Sequence, residues 1–280
     1  MDFSPRLADI KQRLFPFPLE IWDGHTHLLG LPGKTPEERL ERLLECASRL
    51  GIGRVCVFMG TKWQFDPTPE ELREANEEVR RAVERFPTRA FGFVYVNPNH
   101  QVASLNEIRR HVRDGPMVGV KLWVARRCCD SALDPIVALA HDCDAVVLQH
   151  TWIKTTGNLP GESTPHDLAC LARRHPDAVF IAAHSGGGNW EIGLRAFCET
   201  PNVYAELSGS DPTSGFTEMA MRLLGPRRVI FGSDAPGRSF ATQLGKVLGA
   251  SVDDDTKRLI LADNLKKLLA PILKKKGVPV

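Results

Sequence analysis

The sequence predicts a single α/β domain built as a (β/α)8 TIM barrel, and three observations carry that expectation. Eight short apolar runs bounded by Gly, Pro or Asn read as strands, at 21–28, 54–60, 91–98, 117–124, 145–151, 179–186, 203–209 and 229–236. Most are continuous, as in VCVFM, AVVL and VFIAA, which is the pattern of a parallel sheet buried on both faces by helices. They recur at the length of a βα unit, from 24 residues between Phe180 and Tyr204 to 37 between Val55 and Gly92. Eight such units and an amphipathic segment at 254–269 use nearly all of the 280 residues and leave no room for a second domain. Residues 1–20 read as an N-terminal extension, and 254–280 as a closing helix and tail. No GxGxxG follows the first strand and no GxxxxGK[ST] occurs, so an open nucleotide-binding sheet loses its best support.

Between the strands the chain reads as helix. Two of these stretches open with the same TPEE, at 35–38 and 68–71. The Thr caps a backbone N–H, the Pro presets φ at the first helical position, and the second Glu completes a capping box. After Thr35, Leu40, Leu43, Leu44, Ala47 and Leu50 keep helical spacing until Gly51 stops the helix.

With 36 Lys+Arg against 34 Asp+Glu, 42% hydrophobic and 25% charged residues, the chain lacks the basic excess of a nucleic-acid binder. Lys274 to Lys276 read as a solvated helix end. Seven cysteines without a CxxC pair suggest free thiols in a reducing compartment. Charges at Asp2, Arg6, Asp9, Lys11 and Arg13 interrupt any signal-peptide core, and no run approaches the ~20 apolar residues of a membrane span. The expectation is therefore a cytoplasmic protein whose partner is a small molecule, with no nucleic acid and no membrane. Pairing of barrels through exposed helices is compatible with it.

A barrel places its chemistry where strands end and loops begin. The expected strand ends are DGHTH, VKLW, LQHT, AAHSGG and FGSDAP, and they hold four of the nine histidines. His25 and His27 are two apart on a strand, so both imidazoles project from one face and can share a cation. His150 and His184 each end a separate apolar strand, where an unpaired polar group is costly to bury, and Asp234 adds a carboxylate to the same rim. A nitrogen-rich set closed by one carboxylate suits zinc, with manganese, iron or cobalt as substitutes. Lys121 sits inside an apolar strand, as an anchor for substrate, a lysine of depressed pKa, a carbamate bridging two cations, or the ion-pair partner of a carboxylate such as Glu206. Arg126, Arg127, Lys154 and Arg238 follow strand ends and could receive an anionic substrate, beside Trp123 and Trp152.

In their order along the chain, DGHTHL, GVKLW, QHT, AHSGG, GSDAP and the closing LILADNLKKLL resemble the amidohydrolase superfamily, and most of all its amidohydrolase-related branch (amidohydrolase 2), which includes metal-dependent decarboxylases. The resemblance covers nearly the whole chain. It implies that His25, His27 and His150 are ligands from strands one and five. Asp234 would be the strand-eight residue that touches metal and handles protons. It also implies that His184 binds a second metal or assists the substrate, and that Lys121 occupies the position carbamylated in some two-metal members. One or two divalent ions are compatible with this set.

The leading expectation is hydrolysis, in which cation-activated water attacks a carbonyl centre of an amide, lactone or related ester of a small anionic substrate. Asp234 then moves the proton, and His184 helps to polarise the carbonyl. The alternative is a decarboxylase acting on an aromatic or enol carboxylic acid with the same ligands. A catalytically idle metal-binding barrel is the remaining reading, and it conflicts with an undamaged ligand set.

Overall fold

The computed structural model describes residues 20–209 and 213–280, so residues 1–19 of the expected N-terminal extension lie outside the described residues. All eight expected strands are present, as β1 Ile21–His27, β2 Ile52–Phe58, β3 Ala90–Tyr95, β4 Gly119–Leu122, β5 Val146–Trp152, β6 Phe180–Gly186, β7 Val203–Glu206 and β8 Val229–Ile230. They lie in sequence order, each parallel to the next, with helices between them, and form a (β/α)8 barrel. Their continuous apolar character matches complete burial: every residue of β1, β3, β4, β6 and β8 is buried.

The eighth strand is much shorter than the expected run 229–236, because the chain leaves β7 after Ile230 and turns to β1 instead. Phe231 O accepts from Gly24 N at 3.1 Å, His25 O accepts from Asp234 N at 2.8 Å, and Ala235 O accepts from His27 N at 2.8 Å. This seam closes the barrel with the backbone groups that sheet geometry would otherwise leave unpaired.

The helices begin where the TPEE segments place them. Helix α1 (Pro36–Arg49) is capped by Thr35, whose side chain accepts from Glu38 N. Its Glu38 carboxylate accepts from Lys34 N rather than from Thr35, so the box is displaced by one residue. Helix α2 (Pro69–Glu84) carries the full box between Thr68 and Glu71. The closing segment consists of Asp254–Arg258, a π turn at Leu259–Asp263 and a long helix Asn264–Lys275. Ile260, Leu261, Leu265 and Leu269 are buried in the core, and Asn264 donates to Val229 O at 2.8 Å, which ties the chain end to the seam. Lys276 departs from the expected solvated run, since its ammonium donates to Val112 O at 2.6 Å and also to Gly115 O. All seven cysteines are free thiols. No helix among the described residues is long and apolar enough to cross a membrane.

Candidate metal centre

The seam delivers three of the expected ligands to one point. His25 and His27, two apart on β1, bring their Nε2 atoms to 3.2 Å, and Asp234 Oδ1 lies 3.5 Å from the first and 3.2 Å from the second. Asp23 holds this arrangement from beneath. Its Oδ1 accepts from His25 N at 2.9 Å and from Ser233 N at 3.0 Å, clamping β1 to the turn that carries Asp234. Burial pushes the Asp23 carboxyl up to about 7, against the hydrogen bonds it receives from Ser233 and His25.

Burial drives both imidazoles below their ordinary pKa, so they are neutral near pH 7. For Asp234, burial favours the neutral form, but the hydrogen bond to His27 and the neighbouring His25, His27 and Lys121 outweigh it and hold the carboxyl at about 2. Two imidazole nitrogens and a carboxylate oxygen thus converge within 3.5 Å of one another. That donor set fits a divalent cation of the zinc or manganese kind.

His184 ends β6 on the other side of His25, with ring centroids 4.8 Å apart. Its Nδ1 lies 3.0 Å from Ser208 Oγ, and its backbone N–H donates to Glu206 Oε2 at 2.9 Å. Glu206 is fully buried at the end of β7, and burial lifts it to about 7 against the His184 and Ser208 donors. Its Oε2 is 3.4 Å from His25 Nδ1. His184 and Asp234 both have positive φ, 66° and 61°, conformations that cost of order 1–3 kcal/mol and gather at functional sites.

Lys121, from β4, is buried with its Nζ 4.5 Å from the centroid of Phe58. Burial lowers it to about 7, and the charges of Asp234 and Glu206 oppose that shift. It faces these carboxylates without forming the close ion pair with Glu206 that was one of its expected roles.

His150, at the end of β5, reaches the same cavity, but its Nε2 is 3.0 Å from Glu162 Oε1 and stands apart from the His25, His27 and Asp234 cluster. Glu162 also accepts from Lys154 Nζ at 2.7 Å and from Leu159 N at 3.0 Å. Burial would raise this carboxyl, but His150, Lys154 and the Leu159 N–H hold it at about 2.

Above these groups opens a cavity of about 250 Å³, with Lys121, His150, His184, Lys154 and Asp234 in its wall. Four aromatic side chains line it: Trp63, Phe65, Trp123 and Trp152. Trp123 packs between the other two loop rings, 5.6 Å from Trp63 and 4.9 Å from Phe65, while Trp152 lies 5.1 Å from His184. Of the expected rim cations, only Lys154 lines this cavity. Arg126 pairs with Asp130 at 2.9 Å, Arg127 lies 3.8 Å from Asp167, and Arg238 donates to Gly209 O at 3.2 Å, so these guanidinium groups are engaged elsewhere.

Sequence reasoning did not place Asp23, Glu162, Ser208, Trp63 or Phe65 in the site. Glu206 entered only as an ion-pair partner for Lys121. Asp23 stands inside the DGHTH motif and Glu206 inside the apolar run VYAEL, where a lone carboxylate is costly to bury and so marks a specific task. Glu162 and the two aromatics lie in loops, where nothing local separates them from solvated residues.

A family model described as amidohydrolase matches residues 22–270. No curated protein matches the chain. Among solved structures, a putative amidohydrolase from Staphylococcus aureus is similar at TM-score 0.71 and 15% identity, over 90% of this chain and 100% of that one. A 5-carboxyvanillate decarboxylase from Sphingomonas paucimobilis is similar at TM-score 0.69 and 14% identity, over 90% and 99%. A dihydroxybenzoic acid decarboxylase from Polaromonas sp. JS666, with bound manganese and the inhibitor 2-nitroresorcinol, is similar at TM-score 0.72 and 17% identity, over 91% and 98%. At these identities the likeness is one of fold.

Proposed function

The chain belongs to the amidohydrolase family, and on that premise we propose that it is a divalent-cation-dependent decarboxylase of a small aromatic carboxylic acid. The observation that carries this reading is the aromatic lining of the cavity, where Trp63, Phe65, Trp123 and Trp152 stand over His25, His27 and Asp234. A cavity of about 150 Å³ accepts benzene, so about 250 Å³ leaves room for a ring with a carboxylate and a hydroxyl. Hydrolysis of an amide or lactone, the leading expectation from the motifs, draws on the same ligands. The aromatic walls and the decarboxylases among the structural neighbours favour the alternative.

His25, His27 and Asp234 would hold the cation, with His184 beside His25 as a further donor and His150 a donor only if it left Glu162; when bound, the cation would fix the substrate's oxygen atoms and draw electron density from them. The residues of the chain then have separable tasks. The aromatic walls keep the ring in one plane and exclude water. Lys154, held by Glu162 at the cavity wall, offers a donor to a second polar substituent. Asp234 moves the proton. Because it is ionised at rest, it must first take a proton from the entering substrate's acid or hydroxyl group. It then delivers that proton to the ring carbon bearing the carboxylate. Cleavage of the carbon–carbon bond returns the electron pair to the ring and releases CO2.

The test is turnover of a panel of hydroxybenzoic acids, lactones and amides by protein stripped with a chelator and reloaded with manganese or zinc. The expected result is CO2 release from an aromatic acid only after reloading, with deuterium from D2O on the ring carbon. Hydrolysis of a lactone or amide with no CO2 from any acid would overturn the reading.

A further inference from the structure

The geometry points to Glu206 and Ser208, at the end of β7, as a positioning pair that sets the tautomers of His25 and His184, so that each ring carries its proton on Nδ1 and turns a bare Nε2 away from β7. Ser208 has one hydroxyl proton, and it is given to Glu206 Oε2 at 2.8 Å. Toward His184 the same oxygen can then only accept, and His184 Nδ1 lies 3.0 Å from it. The proton of that ring is therefore on Nδ1. His25 Nδ1 faces two acceptors, Glu206 Oε2 at 3.4 Å and Ser208 Oγ at 3.5 Å. On its other side His25 Nε2 meets one acceptor, Asp234 Oδ1 at 3.5 Å, and lies nearer, at 3.2 Å, to His27 Nε2, which can donate to it; two acceptors against one place the proton of this ring too on Nδ1.

The pair is itself held in place. Glu206 Oε1 accepts from Ser208 N at 2.8 Å and Oε2 from His184 N at 2.9 Å, so the carboxylate cannot turn without breaking both bonds. Two glycines make the space. A Cβ on Gly232 would stand 1.9 Å from Glu206 Oε1, and one on Gly209 would stand 2.1 Å from His184 Nδ1. Neither Glu206 nor Ser208 lines the cavity, so they act through the two imidazoles. A carboxylate or hydroxyl on the far nitrogen of a ligating histidine fixes its orientation, and losing such a partner typically costs 10–100-fold in metal affinity.

The purpose of the pair rests on the cation reading above, while the tautomers are a property of the cation-free chain, so the two are tested separately. Long-range proton–nitrogen correlation spectra of the full chain, cation-free, histidine-labelled and mildly alkaline, report which ring nitrogen carries the proton. The signals are assigned through His25→Asn and His184→Asn. The expected spectrum shows both rings protonated on Nδ1. Ser208→Ala should release His184 into a mixture of tautomers while His25 keeps its own, and should weaken manganese binding about 10-fold or more; Ser208→Thr should restore both. A wild-type ring protonated on Nε2, or a Ser208→Ala chain with unchanged tautomers, would overturn the proposal even if that variant were less stable. A chain with the expected tautomers that takes up no manganese or zinc would instead sink the cation reading and leave this one standing.

Discussion

Lys121 Nζ stands 4.5 Å from the centroid of Phe58, and the same ring packs edge-on against His25 and His27 at 4.9 and 4.8 Å. Phe58 is thus a shared plate, apolar toward the histidines and electron-rich toward a buried ammonium. A desolvated cation–π contact is worth about 2 kcal/mol. In urea unfolding of the cation-free protein, Phe58→Leu and Lys121→Met should therefore be non-additive, with a coupling of about 1–2 kcal/mol. Strict additivity would mean that the ring and the ammonium act independently.

Asp234 is the one residue given both a ligand role and a proton to move. Asp234→Asn keeps an oxygen toward His25 and His27 but cannot cycle a proton. The rate should fall by about 10²–10⁴-fold, while cation content measured by elemental analysis stays close to that of the wild type. Near-normal turnover would assign the proton to another group.

Glu162 has a folded pKa of about 2 against an ordinary 4.5. A depressed carboxyl contributes stability that is complete above the unfolded pKa and is lost as pH falls through the folded one. Glu162→Gln should therefore cost up to about 3 kcal/mol near neutral pH. The gap to wild type should narrow steadily from about pH 5 and close near pH 2. Denaturant midpoints across that range measure it, and a gap that stays constant with pH would count against the ionised Glu162.

Trp123 touches both Trp63 and Phe65. Ring contacts of this kind contribute about 0.5–1.5 kcal/mol each. Trp123→Ala should raise KM for aromatic acids by about 10-fold and change kcat less. Steady-state kinetics against a non-aromatic enol acid serves as the control, with KM there nearly unchanged. Equal effects on both substrates would remove the ring-binding role of the wall.

The fold was legible because its information is local and periodic. Continuous apolar runs, Thr-Pro helix starts and βα spacing each act over a few residues, and the strands found at 146–152 and 180–186 follow directly from AVVLQHT and VFIAAHSGG. His25, His27 and Asp234 were legible as strand-end residues in a barrel. Glu162 was not, because its task depends on His150 and Lys154 reaching it from the end of β5, a relation in space that the loop NLPGES does not display. The eighth strand was overread for a related reason. The run 229–236 is apolar enough to be a full strand, but after Ile230 its backbone bonds go to β1, and no single-strand pattern encodes that choice. Arg127 and Arg238 find carbonyl partners remote in sequence, Pro160 and Gly209, while Arg126 pairs with Asp130 only four residues on.

The seam between β1 and the turn after β8 also dates the birth of the centre. Ser233 and His25, which meet there, lie 208 residues apart. During synthesis the first two imidazoles emerge almost at once, yet the carboxylate that completes their cluster appears only when the last strand leaves the ribosome. A chain cut short before residue 234 can form most of the barrel's local contacts but never the cation cluster of His25, His27 and Asp234. Such long-range pairing is slow, because loop-closure entropy must be met before the contact rewards it. Any cation held by that cluster would therefore require a chain translated through residue 234.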